Sequence, residues 1–147
     1  MNGSLASHIA EVLAGPIFAG RTSALWCGGS FAGPLDYAVA VPVKDEAALL
    51  PRALDALLAA MRSSPARGGL VFVVNHTTDA SAAIIRDILG EASVAFAIVE
   101  ISFAPEIRDA PHARRLALDI AWRYAPAGVL LTTDADSYVG PNWIASR

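Results

Sequence analysis

The sequence predicts an α/β fold in which a doubly wound, mostly parallel sheet carries helices on both of its faces. From Tyr37 onwards, short apolar segments rich in valine and isoleucine alternate with longer segments whose apolar residues recur at helical spacing. This alternation gives the order β-α-β-α-β-α-β, which is typical of parallel sheets. The strand segments are almost continuously apolar, as expected when helices cover both faces of a sheet.

Composition and charge narrow the class of protein. The 147 residues suit a single domain, and an apolar content of 54% is enough for a buried core. A net charge of −3 gives no support for nucleic-acid binding, and the single cysteine, Cys27, excludes an internal disulfide. The chain has no run of about eighteen apolar residues and no signal-peptide pattern. We therefore expect a cytoplasmic protein, and peripheral association with a membrane surface stays open.

Residues 1–36 are expected to form an irregular N-terminal lead, and residues 37–147 to form the domain itself. The lead holds six of the eleven glycines, and apart from a short helix around residues 7–14 we interpret it as loop. Residues 28–33 (G-G-S-F-A-G) faintly resemble a dinucleotide-binding loop, but Ser30 replaces the middle glycine and no strand precedes it. A nicotinamide or flavin site is therefore disfavoured.

The first two strands and helices of the domain follow in order. Tyr37–Val43 is predicted to be a buried strand that ends near Pro42, because proline cannot donate a hydrogen bond to a neighbouring strand. After a charged turn comes a predicted helix, with an apolar stripe that comprises Leu50, Leu54, Leu57, Leu58 and Met61. Residues 70–74 are the second predicted strand. Asp79 is placed to cap the next helix and Gly90 to end it. The core face of that helix is predicted to comprise Ile84, Ile85, Ile88 and Leu89.

The remaining elements lead to the segment that carries most of the candidate chemistry. Residues 94–101 are predicted to be the third strand and residues 102–111 a polar loop, followed by a helix over residues 112–124. Residues 129–131 (V-L-L) are predicted to be a short buried strand. A glycine and a proline at positions 140 and 141 then break the chain.

Asp134 and Asp136 follow this last strand and form a D-x-D motif. In an extended segment, side chains two residues apart point to the same side, so both carboxylates can reach one metal ion. Carboxylate oxygens suit hard cations such as Mg²⁺ or Mn²⁺, and ligands of open α/β sheets bind beyond the carboxyl ends of the strands. The motif therefore predicts a divalent-metal site, with a simple aspartate-rich turn as the structural alternative.

A phosphatase of the haloacid-dehalogenase type would also use a D-x-D segment that follows a strand. In that class the fifth position of the motif is threonine or valine, whereas it is Tyr138 here. The strand that carries the motif also normally comes first in that fold, and in this chain it comes last. Both departures disfavour a phosphatase.

Four segments together resemble the motifs of family-2 glycosyltransferases, in the same order and at roughly the same spacing. They are residues 40–46 (A-V-P-V-K-D-E), 73–79 (V-V-N-H-T-T-D), 113–117 (A-R-R-L-A), and 133–136 with 141–144 (T-D-A-D and P-N-W-I). The corresponding family patterns are V-x-V-P-x-x-N-E, D-x-x-S-T-D or N-x-C-T-D, A-A-R-N-x-G, and T-D-x-D followed by P-x-W-L. The resemblance covers about residues 37–147.

The resemblance implies a GT-A fold, of which this chain would hold the Rossmann-like nucleotide-binding half. Such enzymes transfer a sugar from a nucleoside diphosphate to an acceptor and use Mn²⁺ or Mg²⁺. The implied donor is of the UDP or GDP type, and the acceptor stays unknown. Carried over to this sequence, the nucleotide-sugar-binding residues would be Pro42, Val43, Glu46, Asn75, Asp79, Arg115 and Asp134. The metal would be held by Asp134 and Asp136.

The resemblance also distributes roles among these residues. Pro42, Val43 and Glu46 would line the nucleoside pocket, and Asn75 with the loop up to position 79 would approach the base. Arg115 would lie near the diphosphate or the ribose. For Arg115 the structural alternative is an ion pair with the aspartate four residues later on the same helix.

The sequence departs from the family pattern in two ways. Val74 occupies a position where many relatives carry an acidic residue that pairs with the base, which leaves the choice of nucleotide open. In addition, only four residues follow Trp143, whereas in the family the general base and most of the acceptor surface come later. We therefore expect a truncated enzyme in which no catalytic residue is identified, and its activity as an isolated chain stays open.

Two alternatives share the fold. The first is a non-catalytic remnant or a nucleotide-binding interaction module, which we expect to self-associate through exposed apolar surface. The second is a nucleotidyltransferase, but such enzymes usually have a glycine-rich loop after the first strand, and residues 42–47 contain no glycine. Sugar transfer, as opposed to nucleotide binding alone, separates an enzyme from the first alternative.

Overall fold

The computed structural model describes residues 3–31, 33–75 and 79–146. Its helices are α1 (Gly3–Leu13), α2 (Leu50–Arg62), α3 (Ser81–Glu91) and α4 (Ala110–Tyr124), with one turn of 3₁₀ helix at Pro105–Ile107. Its strands are β1 (Thr22–Ser30), β2 (Tyr37–Val43), β3 (Gly68–Asn75), β4 (Ala95–Phe103) and β5 (Val129–Thr132). Within these described ranges, no helix is long and apolar enough to cross a membrane.

The strands form one sheet in the spatial order β1-β4-β3-β2-β5. Strands β2, β3, β4 and β5 pair in parallel, whereas β1 runs antiparallel to β4 at one edge. Helices α2 and α3 cover one face of the sheet, and α1 and α4 cover the other. The predicted doubly wound, mostly parallel α/β fold is therefore confirmed.

Side chains that alternate along the central strands build two separate cores. In β2, Val39 and Val41 pack on the side of α2 and α3, whereas Ala38 and Ala40 pack on the side of α4. Buried alanines of α4 meet these strand alanines, and such small side chains let a close-packed helix lie near the sheet. The predicted apolar stripe of α2 is buried throughout, at Leu50, Leu54, Leu57, Leu58 and Met61.

Strand β1 corrects one expectation from the sequence. The prediction of loop for residues 22–30 is wrong, because these residues pair with β4 along their length. Gly29 shows why a glycine-rich segment can form this strand. Its φ is +124°, and a Cβ atom there would lie 2.1 Å from the carbonyl oxygen of Phe96 in β4. Only glycine both adopts this conformation and leaves the space that the neighbouring backbone occupies.

Helix α1 lies where the sequence predicts a short helix near residues 7–14, and it begins earlier than predicted. It packs against α4, where the Nδ1 atom of His8 lies 3.0 Å from the hydroxyl oxygen of Tyr124. An ion pair between Glu11 and Arg123 links the same two helices. The domain boundary after residue 36 stays a prediction.

Strand β5 corrects a second expectation. Its apolar sequence predicts a buried strand, but β5 pairs with β2 alone and forms the other edge of the sheet. Val129 at its start is consequently 48% exposed, and none of its residues is fully buried. The prediction failed because an apolar composition does not show whether a strand has one neighbour or two.

The ends of two helices also differ from the prediction. Helix α3 begins two residues after Asp79 and continues past Gly90, since a glycine can occupy the last turn of a helix as well as the position beyond it. Helix α4 begins two residues before the predicted start. Its cap is Asp109, whose carboxylate accepts a hydrogen bond of 2.8 Å from the backbone N–H of His112.

Candidate functional site

The strand order places a topological switch beside β2. From β2 the chain continues to β3 and β4 on one side and later returns to place β5 on the other. Connections diverge at such a switch and leave a crevice beyond the carboxyl ends of the strands, where ligands of open α/β sheets bind. A cavity of about 300 Å³, which we call the carboxyl-end cavity, lies at this point. Six of the eight predicted site residues line it, namely Pro42, Val43, Glu46, Asn75, Asp134 and Asp136.

Asp79 does not line this cavity and instead fixes the turn after β2. The Ser81 hydroxyl accepts a hydrogen bond of 3.1 Å from the backbone N–H of Glu46 and donates one to the Asp79 carboxylate. That carboxylate also accepts hydrogen bonds from the backbone N–H groups of Ala47 and Ser81, at 3.0 and 2.9 Å. These donors, the Ser81 hydroxyl first, lower the pKa of Asp79. The network holds Glu46 in place at the cavity.

Glu46 is half-buried and lies among other carboxylates. Partial burial raises the pKa of its carboxyl group, and the negative charges of Asp136, Asp79 and Asp134 raise it further. The carboxylates therefore concentrate negative charge on one side of the carboxyl-end cavity. A bound cation would relieve the repulsion among them.

Glu46→Gln should make the protein more stable at neutral pH, by about 0.5 kcal/mol. The pKa of Glu46 is raised above its ordinary value of 4.5 in the folded state, so folding opposes its ionisation. The free energy of unfolding therefore falls as the pH rises from the pKa of the unfolded chain to the higher pKa of the folded protein. Glutamine removes the charge and flattens this part of the pH dependence. Urea denaturation from about pH 4 to about pH 8 measures the effect. The control is Glu91→Gln, which changes an exposed glutamate at the end of α3, and a destabilised Glu46→Gln protein would contradict the prediction.

Asn75 ends β3 and lines the carboxyl-end cavity while only 3% exposed. Its Oδ1 atom is buried and has no hydrogen-bond donor in the part of the chain that the structure describes. An unpaired buried acceptor costs about 1–3 kcal/mol, so such groups normally have a partner. An N–H or O–H group of a ligand in the cavity would supply one. Residues 76–78, which continue the predicted base-binding loop, lie outside the described residues.

Asp134 and Asp136 lie directly beyond β5 and both line the cavity, as their spacing predicts. Ala135 between them is buried in the core on the side of α2 and α3. The guanidinium of Arg114 in α4 forms an ion pair with Asp134. Asp136 accepts no hydrogen bond from any described residue, so its carboxylate is available to a ligand.

The helical phase of α4 decides which arginine reaches the aspartates. Ala113 faces the core, so the next residue, Arg114, leaves the helix at the border of its apolar face. The Nε atom of Arg114 is buried without an acceptor among the described residues, while Nη2 donates to Asp134. Arg115 lies about 100° further round the helix and pairs on the exposed side with Asp119, at 3.1 Å. The structure therefore brings Arg114 to the aspartate pair, whereas Arg115, predicted to lie near the diphosphate or the ribose, does not line the carboxyl-end cavity.

Two cationic side chains that line the carboxyl-end cavity were missed by the sequence patterns. Arg108 donates from Nε and Nη2 to the carbonyl oxygen of Phe103, at 3.2 and 3.1 Å, which fixes its guanidinium. Lys44 directly follows β2. Both residues come after strands of the parallel sheet, and the loops after such strands meet at one edge. That rule, applied to every polar residue after a strand, could have identified them.

The carboxylates at the carboxyl-end cavity suit a metal ion that a bound ligand would also coordinate. Among residues 3–31, 33–75 and 79–146, no three histidine, cysteine, aspartate or glutamate side chains form a group that could hold a metal. Mg²⁺ commonly takes one or two protein carboxylates and completes its coordination with water and substrate phosphates. Asp134 and Asp136 supply that number of carboxylates at the cavity.

Comparison with known proteins bears on the fold. No model of a known protein family matches this sequence, and no curated protein matches it either. Two crystal structures of S. aureus TarS 1-349, one of them in complex with UDP, match with a TM-score of 0.59, at 17% and 16% identity over 76% of this chain. The mannosyltransferase PcManGT from Pyrobaculum calidifontis, in complex with GDP-Man and Mn²⁺, matches over 90% of this chain and 39% of its own, at 20% identity. Its TM-score of 0.48 is too low to carry a conclusion.

The chain spans only 30% and 31% of the length of the two TarS structures. At this level of identity the likeness concerns the backbone and not the activity. It shows that the backbone of this chain folds like part of TarS 1-349.

Proposed function

We propose that this chain is the nucleotide-sugar-binding part of a family-2-like glycosyltransferase, and that it binds a UDP- or GDP-type donor together with a divalent metal. The observation that most supports this is the meeting of three motif-like segments at one cavity. These segments supply Glu46 after β2, Asn75 at the end of β3, and the D-x-D pair after β5. The TarS 1-349 structure of similar fold is in complex with UDP, which is consistent with such a donor.

The cavity residues suit the two ends of a nucleotide sugar. Asn75 offers amide hydrogen-bonding groups to the nucleoside, beside the apolar wall formed by Pro42 and Val43. Lys44 and Arg108 offer positive charge to the diphosphate, and the guanidinium of an arginine can hold phosphate oxygens with two hydrogen bonds. The guanidinium of Arg108 is already fixed before a ligand arrives, so little reorganisation is needed.

The aspartate pair would hold the metal. A divalent ion, when bound, supplies positive charge that stabilises the diphosphate as it leaves the sugar. Asp136 offers an unpaired carboxylate, and Arg114 keeps Asp134 in position through their ion pair. A general base must lie within hydrogen-bond reach of the acceptor hydroxyl. Because the acceptor is unknown, we assign no residue of this chain to that role.

Isothermal titration calorimetry with UDP and GDP, each in Mn²⁺ and in EDTA, tests the binding step. We expect at least one nucleotide to bind in Mn²⁺, and to bind at least about tenfold more weakly in EDTA. A folded protein that binds neither nucleotide in Mn²⁺ would overturn the proposal, and equal affinity in Mn²⁺ and EDTA would overturn the role of the metal. Nucleotide binding without turnover of a sugar nucleotide is the result that a non-catalytic module predicts.

A further inference from the structure

A second cavity, of about 540 Å³, opens at the other end of the sheet, and we call it the amino-end cavity. It lies at the start of β2, β3 and β4, where Tyr37, Gly68 and Ala95 line it. Strands of seven and eight residues run from one cavity to the other, so roughly 20 Å of sheet separates them. The two cavities share no lining residue. A ligand of the amino-end cavity would therefore bind independently of the proposed nucleotide site.

Tyr37, the first residue of β2, places a phenol at this cavity. Its ring lies over Gly68 of the neighbouring strand, where a Cβ atom would lie 1.9 Å from the Cζ atom of the tyrosine. Tyr37 is only 4% exposed, and its hydroxyl has no hydrogen-bond partner among the described residues. Burial raises the pKa of the phenol further above its ordinary value. A tyrosine hydroxyl is protonated at neutral pH and can donate. A tyrosine hydroxyl that lines a cavity can donate a hydrogen bond to a ligand there.

Two arginines bring positive charge to the same cavity. Arg62 is the last residue of α2, Arg67 immediately precedes β3, and both line the cavity. No aspartate or glutamate lies among its described lining residues, and Arg62 forms no ion pair with a described residue. Apolar side chains complete the wall, from Leu35, Met61 and Val94. The cavity thus combines a cationic part, a hydrogen-bond donor and an apolar part.

We propose that the amino-end cavity binds a small organic anion, with an acidic group between Arg62 and Arg67 and an apolar part against Met61. The Tyr37 hydroxyl donates to the acidic group. Guanidinium groups pair with carboxylates and phosphates alike, so both acids satisfy the same chemistry. The volume of about 540 Å³ lies within the range of small-molecule sites. This assignment does not depend on nucleotide-sugar binding at the other end of the sheet.

Two-dimensional NMR of the isotope-labelled protein tests the site, with phenyl phosphate and benzoate as anionic probes and benzyl alcohol as the neutral probe. We expect at least one anion to cause saturable shifts of the amide signals of Gly68, Ser93 and Ala95, which line the cavity. Benzyl alcohol should bind at least about fivefold more weakly, because it lacks the charge that the arginines recognise. The comparison of the two anions shows which acid is preferred.

Variants of the lining residues separate the charge from the hydrogen bond. Arg62→Gln should weaken binding of the preferred anion about fivefold, and Tyr37→Phe about threefold. Arg52→Gln removes a charge from the same helix outside the cavity and should leave the affinity unchanged. Tyr37→Phe keeps the ring over its glycine, and if it fails to fold, Arg62→Gln decides alone. The proposal is overturned if neither anion gives saturable shifts at millimolar concentration, if benzyl alcohol binds equally well, or if Arg62→Gln leaves the affinity unchanged.

Discussion

Asp136→Asn should weaken the Mn²⁺-dependent binding of UDP or GDP by about 100-fold, or about 2.7 kcal/mol, and should not weaken binding in EDTA. Asparagine keeps the size of the side chain but removes its charge, and hard divalent cations prefer carboxylate oxygens. Since Asp136 accepts no hydrogen bond within the described part of the chain, the loss should fall on the ligand and not on the fold. Calorimetry in Mn²⁺ and in EDTA measures both quantities.

The matched control for this change is Asp87→Asn. Asp87 is exposed on α3 and does not line the carboxyl-end cavity, so its replacement should leave the affinity in Mn²⁺ unchanged. Equal urea midpoints for the two variants and the wild type would show that the loss of affinity does not come from unfolding. An Asp136→Asn protein with the affinity and metal dependence of the wild type would exclude Asp136 as a metal ligand.

Gly29→Ala should destabilise the protein by about 3 kcal/mol or prevent folding. The φ of +124° is strained for alanine, and the new Cβ atom would lie 2.1 Å from the carbonyl oxygen of Phe96 and 2.9 Å from the Cα atom of Ala97. Because these obstacles are backbone atoms of β4, β1 must move away from its neighbour. Urea denaturation followed by circular dichroism measures the change in the free energy of unfolding.

Gly90→Ala is the control, and we expect it to change the free energy of unfolding in the opposite direction. Gly90 lies within α3, and a Cβ atom there would meet nothing within 4 Å. Alanine should therefore stabilise the protein by about 0.5–1 kcal/mol, through its higher helix propensity. A Gly29→Ala protein as stable as the wild type would show that β1 does not pair with β4 as described.

The central strands could be predicted closely because both of their faces are covered. Tyr37–Val43 has the predicted bounds, and β3 and β4 extend no more than two residues beyond theirs. A strand buried on both sides needs an almost continuous apolar run, which is visible in the sequence itself. The edge strands lack that signature. The glycines of β1 are typical of a loop. They occur in a strand here because the backbone of β4 lies so close to Gly29 that no larger side chain would fit.

The place of the candidate site was predictable, and its internal contacts were not. Residues such as Glu46 and Asn75 follow strands of a parallel sheet, and this alone predicts that they meet at one edge. The choice between Arg114 and Arg115 depends on helical phase, in which an error of one residue turns the side chain by about 100°. The role of Asp79 depends on its contact with the turn after β2, which no local pattern encodes.

Because β5 lies at the edge of the sheet, the candidate site can be lost while the rest of the sheet stays folded. The Thr132 hydroxyl of β5 donates to the carbonyl oxygen of Ala40 in β2 across a sequence separation of 92 residues. Strand β5 has hydrogen bonds to one neighbour only, so fewer contacts hold it than hold the central strands. Detachment of β5 would leave the other four strands paired. It would carry Asp134 and Asp136 away from the cavity, so local opening would abolish the proposed metal binding in a protein that is otherwise folded.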